Sequence, residues 1–204
     1  MMVEGTDKGK FIDLTKKAFS EAGIDVEINI LPPPQAIASF NEKKYDVLFP
    51  ALDVNFPDLK KVSVSETIYM KKDFVFTQKG KPLLRTVQDL IGKTVGLTQG
   101  YPYDPAVTSN KQINLRYQKS DFVNVKDLNV GKIDAFIVEE NTGLNAFERF
   151  RSKNYQYDNA SPISEQNVYY AFQQSLEDKQ KLVTKAIKDL KISGYFAKIF
   201  GNGA

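Results

Sequence analysis

The chain has 204 residues, 42% of them apolar and 26% charged, with a net charge of +3. These proportions are those of an ordinary folded domain, and the longest apolar runs, such as residues 47–52, fall far short of the ~20 residues needed to cross a bilayer. Neither cysteine nor histidine occurs, so thiol nucleophiles, Ser-His and Cys-His dyads, zinc sites of the usual kind and imidazole acid–base chemistry fall away together.

No metal and no cofactor is expected. The positive charge is dispersed over mixed-sign segments with no basic block, so nucleic acid is not an expected partner. Absence of cysteine suits an oxidising compartment. Residues 1–6 carry neither a basic n-region nor an apolar h-region, so a secretory leader is expected to have been removed or left out of this sequence.

In chain order, Leu14, Ala18, Phe19 and Ala22 recur at helical spacing over residues 12–22, and Gly23 supplies the stop. Residues 26–30 read as a strand. After the Pro32-Pro33-Pro34 break, Ala36, Ile37 and Phe40 line a short helix, and residues 45–49 read as a buried strand. A second series follows, with a helical turn at 87–90, a strand at 94–97, a short helix at 103–108 and a strand at 113–117. It continues with a helix at 122–130, a buried strand at 133–138 and a helix at 143–150. Residues 168–172 read as another strand, 178–192 as a long amphipathic helix and 195–200 as a short one after Gly194. Helix and strand alternate, which predicts an α/β protein with largely parallel sheets. A short internal echo, KKYDVLF at 43–49 and GKIDAFI at 131–137, places Asp at the entry of two buried strands. Open α/β sheets bind ligands beyond the carboxyl ends of their strands, which directs attention to residues 50–55 and 139–142.

Six segments, in order, resemble the family 3 extracellular solute-binding proteins. GKFIDLTKKAFSEAG at 9–23 is similar to the family's opening helix segment; KYDV at 44–47 and SETIY at 65–69 look like its first-lobe strand and Ser-x-x-Tyr stretch. LIGKTVGLTQG at 90–100 matches the second-lobe signature L-x-G-K-x-V-G-x-x-x-G, and GKIDA at 131–135 matches G-[RK]-x-D-A. Residues 190–199 resemble the terminal L-x-x-x-G-x-x-x-x-I pattern. The resemblance implies a two-lobed periplasmic binding protein of type II, the Venus-flytrap arrangement. Lobe 1 would be discontinuous (1–77 and 171–204), lobe 2 would be 78–170, and two crossing strands, at 74–78 and 168–172, would act as hinge. It also implies that the family's first strand is missing ahead of residue 1. The arginine that clamps a ligand carboxylate in amino-acid binders would fall at position 58, which is Asp58 here.

The expected ligand residues follow from strand ends and from the resemblance together. In lobe 1 they are Asp53, Asn55 and Tyr69, with an Asx turn as the alternative for Asp53 and Asn55, and hinge packing for Tyr69. In lobe 2 they are Thr98, Gln99, Gly100 and Tyr101, whose turn could offer free N–H groups to an anion or be plain turn chemistry, and Glu139, which aligns with the family's amine-pairing acid. Carboxylates without the arginine imply an amino acid or amine-like ligand held in the interlobe cleft, with aromatic walls adding cation–π contact. The implied protein is a non-enzymatic, periplasmic or extracellular monomer that hands its ligand to the permease of an ABC transporter or to a receptor. Alternative readings are a ligand-sensing domain, a dehydratase on the same fold using Glu139 and Glu140, and a chain without ligand.

Overall fold

The computed structural model describes residues 9–201. The described residues divide into two compact units, one of residues 9–70 and 167–201 and the other of residues 71–166. Both exchanges fall inside strands, earlier along each than the 77/78 and 170/171 boundaries expected from the sequence.

In the discontinuous unit, α1 (Lys10–Glu21) buries Phe11, Ile12, Leu14, Ala18 and Phe19 along one stripe. It stops where Gly23 turns left-handed at φ 69° and Ile24 N–H closes onto Phe19 O at 2.9 Å. Helix α2 (Pro33–Asn41) begins on two prolines, which lack the N–H that a first helical turn leaves unpaired, and buries Phe40. Three strands follow: β1 (Val47–Ala51), β2 (Val62–Val64) and the unit's share of β7 (Ser164–Gln173). Both β1 and β2 pair antiparallel with β7, with Leu48 and Val64 each opposite Ala171, so β7 is the middle strand. Helix α6 (Glu177–Ile192) lays Val183, Ile187 and Leu190 against Leu14, Phe19, Tyr170 and Phe172, and α7 (Tyr195–Phe200) adds Phe196. Each such apolar side chain contributes about 1.5–3 kcal/mol on burial.

The sequence is corrected at two points here. Residues 26–30, expected as a strand, join no sheet formed by the described residues. Their Val-Glu-Ile-Asn-Ile alternation is strand-like, but a strand is defined by a ladder partner and none of the described residues supplies one. For the same reason the expected parallel sheet is not formed in this unit: its described pairings are all antiparallel.

In the continuous unit, β3 (Tyr69–Phe76, entering at Lys71), β4 (Thr94–Thr98), β5 (Asn114–Gln118) and β6 (Ala135–Glu139) lie in the order β3-β6-β4-β5. The β4–β5 and β4–β6 pairs are parallel and β3–β6 is antiparallel. Strand β6 is buried on both faces, Phe136 and Val138 toward one apolar cluster with Phe74, Phe76, Leu128 and Phe147, and Ala135 and Ile137 toward another with Val75, Val95 and Leu97. This is why its sequence reads as an unbroken apolar run rather than an alternation. Helices α3 (Pro105–Thr108), α4 (Asp121–Asn129) and α5 (Glu140–Phe150) make the crossovers. Close packing of α4 on β4 needs Gly96, where a Cβ would stand 2.4 Å from Asn124 Oδ1 and 2.6 Å from Ile133 Cδ1. No helix among the described residues is long and apolar enough to cross a membrane.

Candidate functional site

The sequence-derived residues fall in both units. In the discontinuous unit, β1 ends at Ala51, and Asp53–Asn55 form a single 3-10 turn at its carboxyl end. The turn is held by one side-chain bond of Asx type and one main-chain bond: Leu52 N–H donates to Asn55 Oδ1 at 2.8 Å, and Phe56 N–H to the Asp53 carbonyl at 3.1 Å. Asn55 therefore spends its Oδ1 on the turn, while the exposed Asp53 accepts the Tyr169 hydroxyl at 2.6 Å through Oδ1. Burial, and then the Asp53 charge, push the Tyr169 hydroxyl well above its ordinary pKa, so it remains a donor to Asp53. Tyr69 begins β3 within an aromatic group, its ring centroid 6.4 Å from Phe11 and 6.2 Å from Phe200. Asp58, at the position where the resemblance places an arginine, caps the next turn by accepting Lys60 N–H at 3.0 Å. A carboxylate stands there and no guanidinium, so this turn offers no cationic fork for a carboxylate.

In the continuous unit, Thr98 closes β4 and Gln99, Gly100 and Tyr101 form the turn after it, with Gly100 at φ 80°. The idea of a row of free N–H groups is corrected. Thr98 N–H donates to Tyr103 Oη at 2.9 Å, Gln99 N–H to Gln118 O at 2.9 Å and Tyr101 N–H to Thr98 O at 3.3 Å. The following helix begins only at Pro105, and Asp104 already takes the Ala106 N–H at 2.7 Å. The Thr98, Gln99 and Tyr101 amides are thus paired within the unit, and the turn also presents side chains.

Those side chains converge on a residue that sequence reasoning passed over. Asp121, the first residue of α4, accepts Thr98 Oγ1–H at 2.5 Å and Tyr101 Oη–H at 2.9 Å on its two oxygens. Asn124 donates to Thr98 Oγ1 at 3.0 Å behind it. No cation among the described residues bonds this carboxylate, and burial raises its pKa above the ordinary range despite the two hydroxyls. Asp121 follows the carboxyl end of β5, so the strand-end rule that selected Thr98 would also have found it.

Glu139 ends β6 and caps α5. Its Oε2 accepts Thr142 N–H at 2.9 Å and Thr142 Oγ1–H at 2.8 Å, and its Oε1 accepts Asn141 Nδ2–H at 3.2 Å. Across the β3–β6 ladder it stands opposite Asp73, which is 1% exposed. Asp73 is paired with Lys71: Lys71 Nζ lies 2.6 and 2.5 Å from its two oxygens and donates further to Pro102 O at 3.3 Å. Three contacts account for three ammonium protons, and the same cation lies 5.7 Å from the Tyr103 ring centroid. Lys71, a basic residue in the chain leading into this unit, is thus already neutralised. Burial holds the Asp73 carboxyl above its usual pKa even so, with Lys71 and the Ser164 hydroxyl pulling the other way. Neither Lys71 nor Asp73 was expected from the sequence, where they stand in a Lys-Lys-Asp stretch just ahead of the expected crossing strand at 74–78.

A family profile described as "Bacterial extracellular solute-binding proteins, family 3" matches residues 1–202. The L-cystine-binding protein TcyJ of Escherichia coli K12 is 23% identical over 193 residues, which are 94% of this chain and 72% of that protein. The lysine/arginine/ornithine-binding periplasmic protein of the same organism is 28% identical over 108 residues, 51% of this chain and 41% of that one. Among solved structures, a mutant of ArgBP from T. maritima superposes with a TM-score of 0.76 at 21% identity, covering 96% of this chain and 86% of its own. The substrate-binding protein AbpA of an amino acid ABC transporter from Streptococcus pneumoniae, bound to L-arginine, does so with a TM-score of 0.74 at 22% identity, over 97% and 85%. At these identities the superpositions establish the fold, that of the two-lobed periplasmic binding proteins of type II.

Proposed function

The chain belongs to the bacterial extracellular solute-binding proteins of family 3, and we propose that it captures an amino acid or a related amine outside the cytoplasm and delivers it to an ABC transporter. The observation that carries this reading is the family match over nearly the whole chain. The similar proteins bind L-cystine, the lysine/arginine/ornithine set and L-arginine by name, all of them carrying an α-ammonium group. The family is one of binding proteins rather than enzymes, and a chain with neither cysteine nor histidine fits that description.

The contacts are assigned to Asp53, Asn55 and Tyr69 in one unit and to Thr98, Gln99, Gly100, Tyr101 and Glu139 in the other, with Asp121 added. The charged side chains in this set, Asp53, Asp121 and Glu139, are all carboxylates. Lys71 is consumed by Asp73 and position 58 is itself acidic, so the electrostatics favour a ligand with an ammonium or guanidinium group in excess of its carboxylates. Isothermal titration calorimetry with L-arginine, L-lysine, L-ornithine, L-cystine, L-glutamate and D-glucose tests the reading. Heat of binding is expected for the cationic amino acids and none for glutamate or glucose. A ligand at one hundred times its Kd adds about 2.7 kcal/mol of stability, a rise in Tm of about 5–10 °C at this chain length. Binding of glutamate or glucose with none of the amines would overturn the assignment.

A further inference from the structure

Two residues from opposite ends of the continuous unit meet on one carbonyl. Lys71, its first residue, lies on β3, and Gln166, its last, on β7. Lys71 Nζ donates to Pro102 O at 3.3 Å and Gln166 Nε2 to the same oxygen at 3.1 Å. Side chains alternate across a strand, so Lys71 and Asp73 share one face of β3, and Ser164 and Gln166 one face of β7. Ser164 Oγ–H donates to Asp73 Oδ2 at 3.1 Å and Ile163 N–H to Asp73 O at 2.8 Å, which joins the two pairs into a single polar pad against Pro102.

Pro102 follows the Thr98–Tyr101 turn directly and has no N–H, so its oxygen is its one main-chain hydrogen-bonding group. That oxygen only accepts, which orients the Gln166 amide: Nε2 faces it and Oε1 does not. Gln166 Oε1 is buried and accepts no hydrogen bond from any described residue. A buried acceptor without a partner weakens the fold, so an apolar side chain of the same length would serve stability as well or better. What glutamine adds at this position is its donor on Pro102. The carbonyl matters because of its neighbours. Tyr101 Oη–H donates to Asp121 at 2.9 Å, and Tyr103 Oη accepts Thr98 N–H at 2.9 Å, so a shift of Pro102 carries both rings away from their partners. We propose that Lys71 and Gln166 are positioning residues for ligand binding: through the Pro102 carbonyl they hold the Thr98–Tyr101 turn, and the Tyr101–Asp121 contact, in the geometry that receives the ligand. The proposal rests on the ligand residues assigned above, a set to which neither Lys71 nor Gln166 belongs.

The test is Gln166→Met, which keeps an unbranched side chain of nearly the same length, removes the donor and leaves Lys71 with Asp73. The variant and the unsubstituted chain are compared by Tm without ligand, by hydrogen exchange of residues 98–103 without ligand, and by calorimetric titration with L-arginine. The Tm is expected to hold or rise, because the unpaired Oε1 is gone. Exchange of the turn amides is expected to be about three- to tenfold faster, the weight of one hydrogen bond, and affinity for L-arginine lower by a similar factor. Unchanged exchange in the turn would overturn the proposal. So would faster exchange with undiminished affinity, since Gln166 would then be a tie within the fold and nothing more. Lower affinity with unchanged exchange would overturn it as well, because Gln166 would then touch the ligand itself. Failure of the unsubstituted chain to bind L-arginine is a separate result: it strikes the assigned ligand class, while the exchange comparison, which needs no ligand, still decides whether Gln166 holds the turn.

Discussion

Replacing Lys71 with Met isolates the buried ion pair of the continuous unit. The ammonium lies 2.6 and 2.5 Å from the two Asp73 oxygens, its side chain is 13% exposed and that of Asp73 1%. Loss of the cation leaves Asp73 with the Ser164 hydroxyl at 3.1 Å and faces it with Glu139 across the ladder. Breaking a buried pair by removing one partner costs about 3–5 kcal/mol, because a charge is left uncompensated. Asp73 can escape only by taking a proton, at about 1.4 kcal/mol for each unit by which its pKa must rise to the ambient pH. The sign of the pH dependence follows. A carboxyl whose pKa is raised in the native state favours folding while protonated, and that contribution is lost as the pH climbs through the native value. Without Lys71 the native pKa rises further, so the deficit of the Met variant is largest near pH 7 and shrinks as the pH falls toward the carboxylate range. The double variant Lys71→Met, Asp73→Leu recovers most of the loss at neutral pH. The chain has no tryptophan, so urea unfolding is followed by far-UV circular dichroism. A deficit below about 1 kcal/mol, or one of equal size at pH 7 and pH 5, would refute the claim that Lys71 neutralises a buried carboxylate.

Gly96→Ala forces a methyl into contact with Asn124 and Ile133, both buried, and is expected to destabilise by about 1–3 kcal/mol in the same unfolding assay. An unchanged midpoint would show that α4 moves aside without cost. Glu139→Gln keeps an oxygen for the Thr142 cap but removes the charge; thermal stability is expected to hold within about 1 kcal/mol while affinity for L-arginine falls at least about tenfold by calorimetry. Undiminished affinity would remove Glu139 from the binding set.

Helices and the central strands of the continuous unit could be read from the sequence because their signals are local. Leu14, Ala18 and Phe19 declare the buried stripe of α1, and the apolar run at 135–138 declares a strand covered on both faces. Residues 26–30 show where local signals stop: the alternation is present, but whether it becomes a strand is decided by a partner far away in the sequence. Strand β3 was anticipated only in its apolar second half, because Lys71, Lys72 and Asp73 hide the first half; the charges are accommodated by a pairing that sequence distance conceals. The same limit applies to the ligand residues. Strand ends pointed to Asp53, Thr98 and Glu139, whereas the use of Asn55 Oδ1 by its turn, and the partners of the Thr98, Gln99 and Tyr101 amides, emerge only from hydrogen-bond geometry.

The way the chain leaves one unit and returns to it has a practical consequence. Ile68 N–H bonds Val168 O on the near side of the exchange, and Ile163 N–H bonds Asp73 O on the far side. The two junctions, 70/71 and 166/167, therefore fall on strands that run side by side, about 5 Å apart. Residues 71–166 bring two apolar cores of their own, so this stretch behaves as a cassette whose ends adjoin. Grafting the corresponding stretch of a relative across just two splice points would transplant the positions of Thr98, Asp121 and Glu139 together, as one block.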